Sequence, residues 1–192
     1  MFQNRKRRAA AYVAAAAIGA TAIVGSGSLA EARPTAKAPV TGVKVVEGPE
    51  AGKKHPSVAV CPEGMRVLSG GFRAVTWGDT DAVIVNAPMG DGRGWAAAQM
   101  LGRLRARAVC VPEDQAPQVA AGPASAAGGD SEAHCPTGTK AIGGGYVTHG
   151  WSESSIGGHN MDAVKISAPT KNGNGWWASQ QRGYIEARVL CS

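Results

Sequence analysis

The chain carries its own pattern twice. Cys61-Pro62-Glu63-Gly64, Ser69-Gly70-Gly71-Phe72, Asp81-Ala82-Val83, Ala87-Pro88, Gly94-Trp95 and Cys110 form the first copy. Cys135-Pro136-Thr137-Gly138, Gly143-Gly144-Gly145-Tyr146, Asp162-Ala163-Val164, Ala168-Pro169, Gly175-Trp176 and Cys191 return in the same order. Gly48 to Trp77 match Gly122 to Trp151, and Asp81 to Cys110 match Asp162 to Cys191. The length difference falls in one place, where Gly78 to Thr80 becomes Ser152 to Met161. A periodic self-match settles architecture before any single motif is weighed, and it separates what the fold requires from what one copy added.

Each copy reads as short strands punctuated by turn residues. The expected strands are 65–75, 81–87, 95–101 and 105–111, answered by 139–148, 162–168, 176–182 and 185–190. A weaker strand precedes each first cysteine, at 57–60 and 131–134. Asp91-Gly92 and Asn172-Gly173 suit hairpins that need positive φ. Alternation turns Val83, Val85 and Ala87 inward, with Val164, Ile166 and Ala168 as counterparts, and leaves Ile84 and Asn86 on a wetter face. In the next strand, Trp95, Ala97 and Gln99 match Trp176, Ala178 and Gln180 as an inner face. The paired glycines at 70, 71, 144 and 145 mark a bulge or a close backbone approach. No stretch after the leader carries a helical period.

Residues 1–32 read as a signal peptide. Arg5 to Arg8 form a basic n-region, an Ala-rich apolar stretch follows, and Ala30-Glu31-Ala32 supplies the cleavage pattern. The stretch is short and alanine-rich for a permanent span, so no stable membrane insertion is expected after cleavage. Arg7-Arg8 leaves the export route open between general secretion and twin-arginine transport. Cleavage removes four basic side chains and Glu31, leaving 16 basic against 13 acidic residues. The remaining Lys and Arg are scattered rather than striped, which excludes a nucleic-acid footprint. The rest divides into a flexible lead-in (33–42), a β-repeat (43–112), a linker (113–118) within a Pro- and Ala-rich hinge region, and a second β-repeat (119–192).

Aromatic residues are 5% of the chain, so the core must be thin and cross-links matter. Four cysteines in an exported chain read as two disulfides. The repeat favours Cys61–Cys110 and Cys135–Cys191, each closing its own copy. A simple meander would bring such cysteines together at one edge. Loops of this size contribute about 4 kcal/mol each in the chain-entropy model.

Chemistry is harder to place. Trp95 and Trp176 occur in both copies and read as core; Trp177 replaces Ala96 on a solvent-directed face and is the better ligand contact. A loop present in one copy only is a natural place for function, and it holds Ser152, Glu153, His159 and Asn160. Gly150-Trp151-Ser152-Glu153-Ser154 lacks the last glycine of a nucleophile elbow, and no helix follows it. A triad of serine, His159 and Asp162 can be drawn, but Asp162 matches Asp81 and so reads as structural. His149, His159 and Asp162 have no zinc-like spacing; no metal and no cofactor are expected. Arg107 and Arg188 read as charges on edge strands that discourage sheet-to-sheet aggregation, or else as repeated anion contacts.

The pattern C-P-x-G-x-[RK]-x-[LI]-x-G-G-[FY], closed by Cys110 or Cys191, resembles a repeat common in exported, functionally uncharacterised proteins of high-GC bacteria. The resemblance covers 43–110 and 119–191. It implies an all-β, disulfide-closed extracellular module and brings no catalytic residues with it. More distantly, the chain is similar to vitelline-membrane outer-layer proteins, whose β-prism repeats combine C-P, G-F and a closing cysteine. Their acidic D-D-T-A-L-N stretch is replaced here by Gly78-Asp79-Thr80-Asp81-Ala82-Val83.

The expectation is therefore an all-β body of two homologous antiparallel units, four- to five-stranded, forming a sandwich or barrel with pseudo-twofold symmetry. Its expected role is a non-catalytic secreted binding module for a cell-wall or extracellular polysaccharide, using Trp177 with Ser152, Glu153, His159 and Asn160. The alternatives are a secreted hydrolase working through the 152–161 loop and an exported inhibitor presenting that loop to a protein partner.

Overall fold

Alternation is clearest in the last strand of each copy. Leu104, Ala106, Ala108 and Cys110 are buried while Arg103, Arg105 and Arg107 face away, and Ile185, Ala187, Val189 and Cys191 repeat the buried stripe. A strand of this kind satisfies its backbone by pairing and its apolar stripe by packing on a second layer. A computed structural model of the protein describes residues 39–78, 81–151, 155–156, 159–160 and 162–192, with backbone alone at 155–156 and 159–160. The expected leader and residues 33–38 lie outside them.

The first unit contains β1 (Lys44–Glu47), β2 (Ala51–Gly52), β3 (Ser57–Val60), β4 (Met65–Thr76), β5 (Val83–Pro88), β6 (Gly94–Gln99) and β7 (Arg103–Pro112). The second contains β8 (Gln118–Ala121), β9 (Asp130–His134), β10 (Ala141–Gly150), β13 (Val164–Pro169), β14 (Gly175–Gln180) and β15 (Tyr184–Cys191). A small hairpin, β11 (Ser155–Ile156) and β12 (His159–Asn160), belongs to the inserted loop. A 3-10 turn at Glu113–Gln115 leads from one unit to the next, and no α-helix occurs among the described residues.

All pairings are antiparallel. β7 is an interior strand, with β1 and β2 on one edge and β4 on the other. The layer β3–β6–β5 packs against it. In the second unit β8–β15–β10 faces β9–β14–β13. The fold is thus the expected all-β body, built of sandwich layers. β1 and β8 were not legible as strands; both are short, largely exposed, and held by pairing with β7 and β15.

Among the described strands the units are joined by one pairing, β5 with β10, which places Asn86 opposite Tyr146 and Val85 opposite Val147. It fuses the second layer of unit one with the first layer of unit two into a six-stranded sheet, β3-β6-β5-β10-β15-β8. A strict twofold would also pair β13 with β4. No such pairing occurs among the described strands, so the duplication keeps its strand order, apart from the short β2 and the inserted hairpin, and is one-sided at the joint.

The core is as thin as composition requires. Ala59, Ala97, Ala106 and Ala108 surround Val67, Trp95 and Leu104 in unit one; Ala133, Ala178 and Ala187 surround Ile185 and Val189 in unit two. Both disulfides form as expected, with Cα–Cα distances of 5.6 Å. Their setting differs from a simple meander. Cys61 follows β3 and Cys110 lies in β7, so each bridge staples one layer of a sandwich to the other.

Two readings of strand faces need correction. The register slips between Val83 and Val85, and again between Val164 and Ile166. Across an antiparallel pair, directly opposed side chains share a face. Asn86 therefore shares the core face with Ala97 and Ser57, while Val85 and Ala87 share the opposite face with Ala98 and Ala96. Asn86 accepts the Trp95 indole N–H at 2.8 Å, and Ser167 accepts that of Trp176 at 3.0 Å. Ile84, expected to be wet, is buried with Ala98 and Met100 where Trp151 packs against them. The arginine reading also changes, because β7 and β15 are interior. Arg107 pairs with Glu47 at 2.7 Å, and Arg188 pairs with Glu186 and donates to the Pro88 carbonyl.

The glycine pairs divide their labour. A Cβ at Gly70 or Gly144 would collide with the indole of Trp95 or Trp176. The slip in β4 and β10 falls just before them, at Leu68 and Ile142. Gly92 and Gly173 adopt φ of 70° and 69°, as the hairpins require.

Candidate functional site

A duplicated fold allows each unit to serve as the control for the other. Polar groups that recur at matched positions hold the fold together. Asp81 accepts from Gln99 Nε2 at 2.6 Å and from the amides of Ala82, Leu101 and Gly102. Asp162 accepts from Gln180 Nε2 at 2.9 Å and from the amides of Ala163 and Arg182. Ser57 and Ser131 each donate to a proline carbonyl and accept an amide from the facing strand. Asp162 is buried and committed to this network, so a triad that borrows it lacks a free acid.

Groups found in one unit only are a different matter. On the outer face of β9 and β14, Trp177 lies directly opposite Glu132 and Ser179 opposite Asp130. The turn after β13 brings Thr170, Lys171 and Asn172 to the same place, and together they line a cleft of about 400 Å³. The matched positions in unit one are Pro56, Val58, Met89, Gly90, Asp91 and Ala96, which offer neither an indole nor an opposed carboxylate and ammonium. This chemistry was therefore added in unit two.

Within the cleft, Trp177 is half-buried. Its indole N–H is shielded from solvent and makes no hydrogen bond among the described residues, so the part of the ring offered to a ligand is carbon surface. Thr170 Oγ1 lies 2.8 Å from Asn172 Oδ1, and the Asn172 carbonyl accepts from Lys140 Nζ at 3.4 Å, which fixes the turn. Glu132 Oε2 lies 3.4 Å from His134 Nε2. Two carboxylates and the Lys171 ammonium line the cleft, and Lys140 adjoins it at Asn172, so its charges are close to balanced.

Of the residues singled out in the sequence, Trp177 lines this cleft. Ser152 and Glu153 lie outside the described residues. His159 and Asn160 are placed in β12 by their backbone, and their side chains lie outside the description. Asp162, where the loop returns, is six residues along the chain from Ala168, the β13 neighbour of Trp177. That is about 20 Å of extended chain. Among the described residues the polar companions of Trp177 are Asp130, Glu132, Thr170, Lys171 and Asn172. The signal that marks them was present in the sequence, as differences between matched positions outside the obvious insertion.

Another cleft, of about 490 Å³, lies between Arg66, Asp91, Glu113 and Val119. Its arginine is engaged on every nitrogen, with Glu113 at 2.7 Å and the Asp91 carbonyl at 3.0 Å. His149 Nε2 lies 2.9 Å from Glu186 Oε2, away from any metal-like grouping. Among the described residues no cluster of three or more His, Cys, Asp or Glu side chains is placed to hold a metal ion. No helix among them is long and apolar enough to cross a membrane. The two closed disulfides suit an oxidising compartment.

No family model, no curated protein and no solved structure matches this chain.

Proposed function

We propose that the protein is an exported, non-catalytic binding module, and that its site is the Trp177 cleft of the second unit. The observation that carries this reading is the copy-specific set of Trp177, Asp130, Glu132, Thr170, Lys171 and Asn172 on an otherwise duplicated scaffold. An indole with accessible ring surface stacks on the C–H face of a sugar ring. Carboxylates beside it accept hydrogen bonds from sugar hydroxyls, and an ammonium donates to hydroxyl oxygens. The near balance of carboxylate and ammonium, with Lys140 adjoining Asn172, favours a neutral glycan of the cell wall or extracellular matrix. The leader-like segment 1–32, the disulfides and the resemblance to exported repeat proteins support an extracellular setting.

The test is co-sedimentation of purified protein with insoluble neutral polysaccharides and cell-wall fractions. The wild-type protein is expected in the pellet. Trp177→Ala is expected to stay in solution while remaining folded, with a melting temperature lowered by roughly a few degrees as the buried half of the ring is lost. Retention of the variant at the wild-type level, or absence of wild-type retention on every polymer, rejects the reading.

A further inference from the structure

The free edge of β4 repeats the geometry of the joint without a strand to fill it. At the joint, a Cβ on Gly145 would collide with the Asn86 carbonyl, so glycine there lets β5 approach. Its counterpart Gly71 has ordinary extended backbone and nothing within 4 Å of a Cβ, so no contact inside the described chain calls for glycine. The pattern extends along the strand. Trp151 packs on the cluster of Ile84, Ala98 and Met100, whereas its counterpart Trp77 is 56% exposed. Tyr146 packs into the second unit's core and bonds to β5, whereas Phe72 is 37% exposed. Arg188 reaches across the joint to the Pro88 carbonyl; its counterpart Arg107 bonds through Nε alone among the described residues.

The strand that fits this edge is in the same chain. β13 is the counterpart of β5, and among the described strands it pairs with β14 only. Ser167 and Pro169 are exposed where Asn86 is half-buried and Pro88 fully covered. We propose that β4 of one copy receives β13 of a second copy in an antiparallel pairing that repeats the joint between molecules. Phe72 then lies beside Ser167 of the second copy and Arg73 beside its Ile166. Arg107 reaches the Pro169 carbonyl, and Trp77 covers Lys165 and Gln181.

This contact is weaker than the joint. Phe72 lacks the tyrosine hydroxyl, and Lys165 and Gln181 stand where Ile84 and Met100 receive Trp151. The indole of Trp77 retains a favourable partner in the Lys165 ammonium. Because the two edges differ, the association is head-to-tail and either closes into a ring or extends.

Sedimentation equilibrium of the purified protein over a concentration series, with no polysaccharide present, tests this independently of the Trp177 cleft. The weight-average mass is expected to rise with concentration. Gly71→Val places a β-branched side chain in open space and is expected to keep or raise the melting temperature while abolishing the rise. Restoring the apolar socket with Lys165→Ile and Gln181→Met together is expected to tighten association by about tenfold or more. A wild-type mass that stays monomeric throughout overturns the proposal. So does a folded Gly71→Val variant that associates as the wild type does.

Discussion

The Tyr146 hydroxyl donates to the Val83 carbonyl at 3.0 Å, so the second unit is tied to the first through a phenol whose own counterpart is Phe72. The duplication thus supplies the natural control for the bond. Tyr146→Phe keeps the ring in place and removes only the donor. A buried neutral hydrogen bond contributes about 1 kcal/mol net, and that loss is expected in chemical denaturation at neutral pH. An unchanged midpoint would show that the joint does not depend on this bond.

The same phenol sets an alkaline limit. Burial pushes Tyr146 up to about 12 from an ordinary value of 10. The folded state therefore keeps a proton that the unfolded chain gives up. The resulting stability is complete below pH 10 and is lost as pH rises towards 12, by about 1.4 kcal/mol per pH unit in that window. At the acid end, burial raises Glu186, but hydrogen bonds from Arg188 and His149 outweigh it and hold the carboxyl below its ordinary value. That contribution is present above the ordinary carboxylate range and is lost as pH falls through the lowered value. Urea midpoints between pH 3 and 11 are expected to flatten at the alkaline end in Tyr146→Phe and at the acid end in Glu186→Gln.

Asp162 separates a structural from a catalytic account of the second unit. Its carboxylate holds Gln180 and the amides of Ala163 and Arg182, as Asp81 holds Gln99 and the amides of Ala82, Leu101 and Gly102. Removing it strands buried donors, at a cost of about 3 kcal/mol. Asp162→Ala and Asp81→Ala are therefore expected to lower stability by similar amounts. A Asp162→Ala protein as stable as wild type would return that carboxylate to the candidate catalytic groups.

The strands were legible where alternation was strong, as in β7 and β15, and the duplication made the disulfide pairing legible with them. What period two could not show was the slip inside β5 and β13, because one extra residue reverses every face that follows it. Ile84 and Lys165 stand at matched positions, yet one is buried at the joint and the other exposed. Their difference reads as tolerance until the joint explains it. Trp177 was legible as the partner of Ala96. Glu132 and Lys171 were legible in the same way, as partners of Val58 and Gly90.

The disulfides are chemically unequal although their loops are alike. Cys61, Cys110 and Cys191 are 8%, 0% and 2% exposed, whereas Cys135 is only half-buried. A reductant must reach a sulfur along the line of the bond, so access rather than loop length decides the order of attack on the folded protein. Cys135–Cys191 is expected to open first under native conditions, followed by timed alkylation and mass spectrometry. Its loop spans 56 residues, and opening it costs about 4 kcal/mol in the chain-entropy model. With so many alanines in the core, that loss is expected to unfold the second unit and expose Cys61–Cys110 in turn. Two bridges that disappear together, at a rate independent of reductant concentration, would instead place global unfolding ahead of the first reduction.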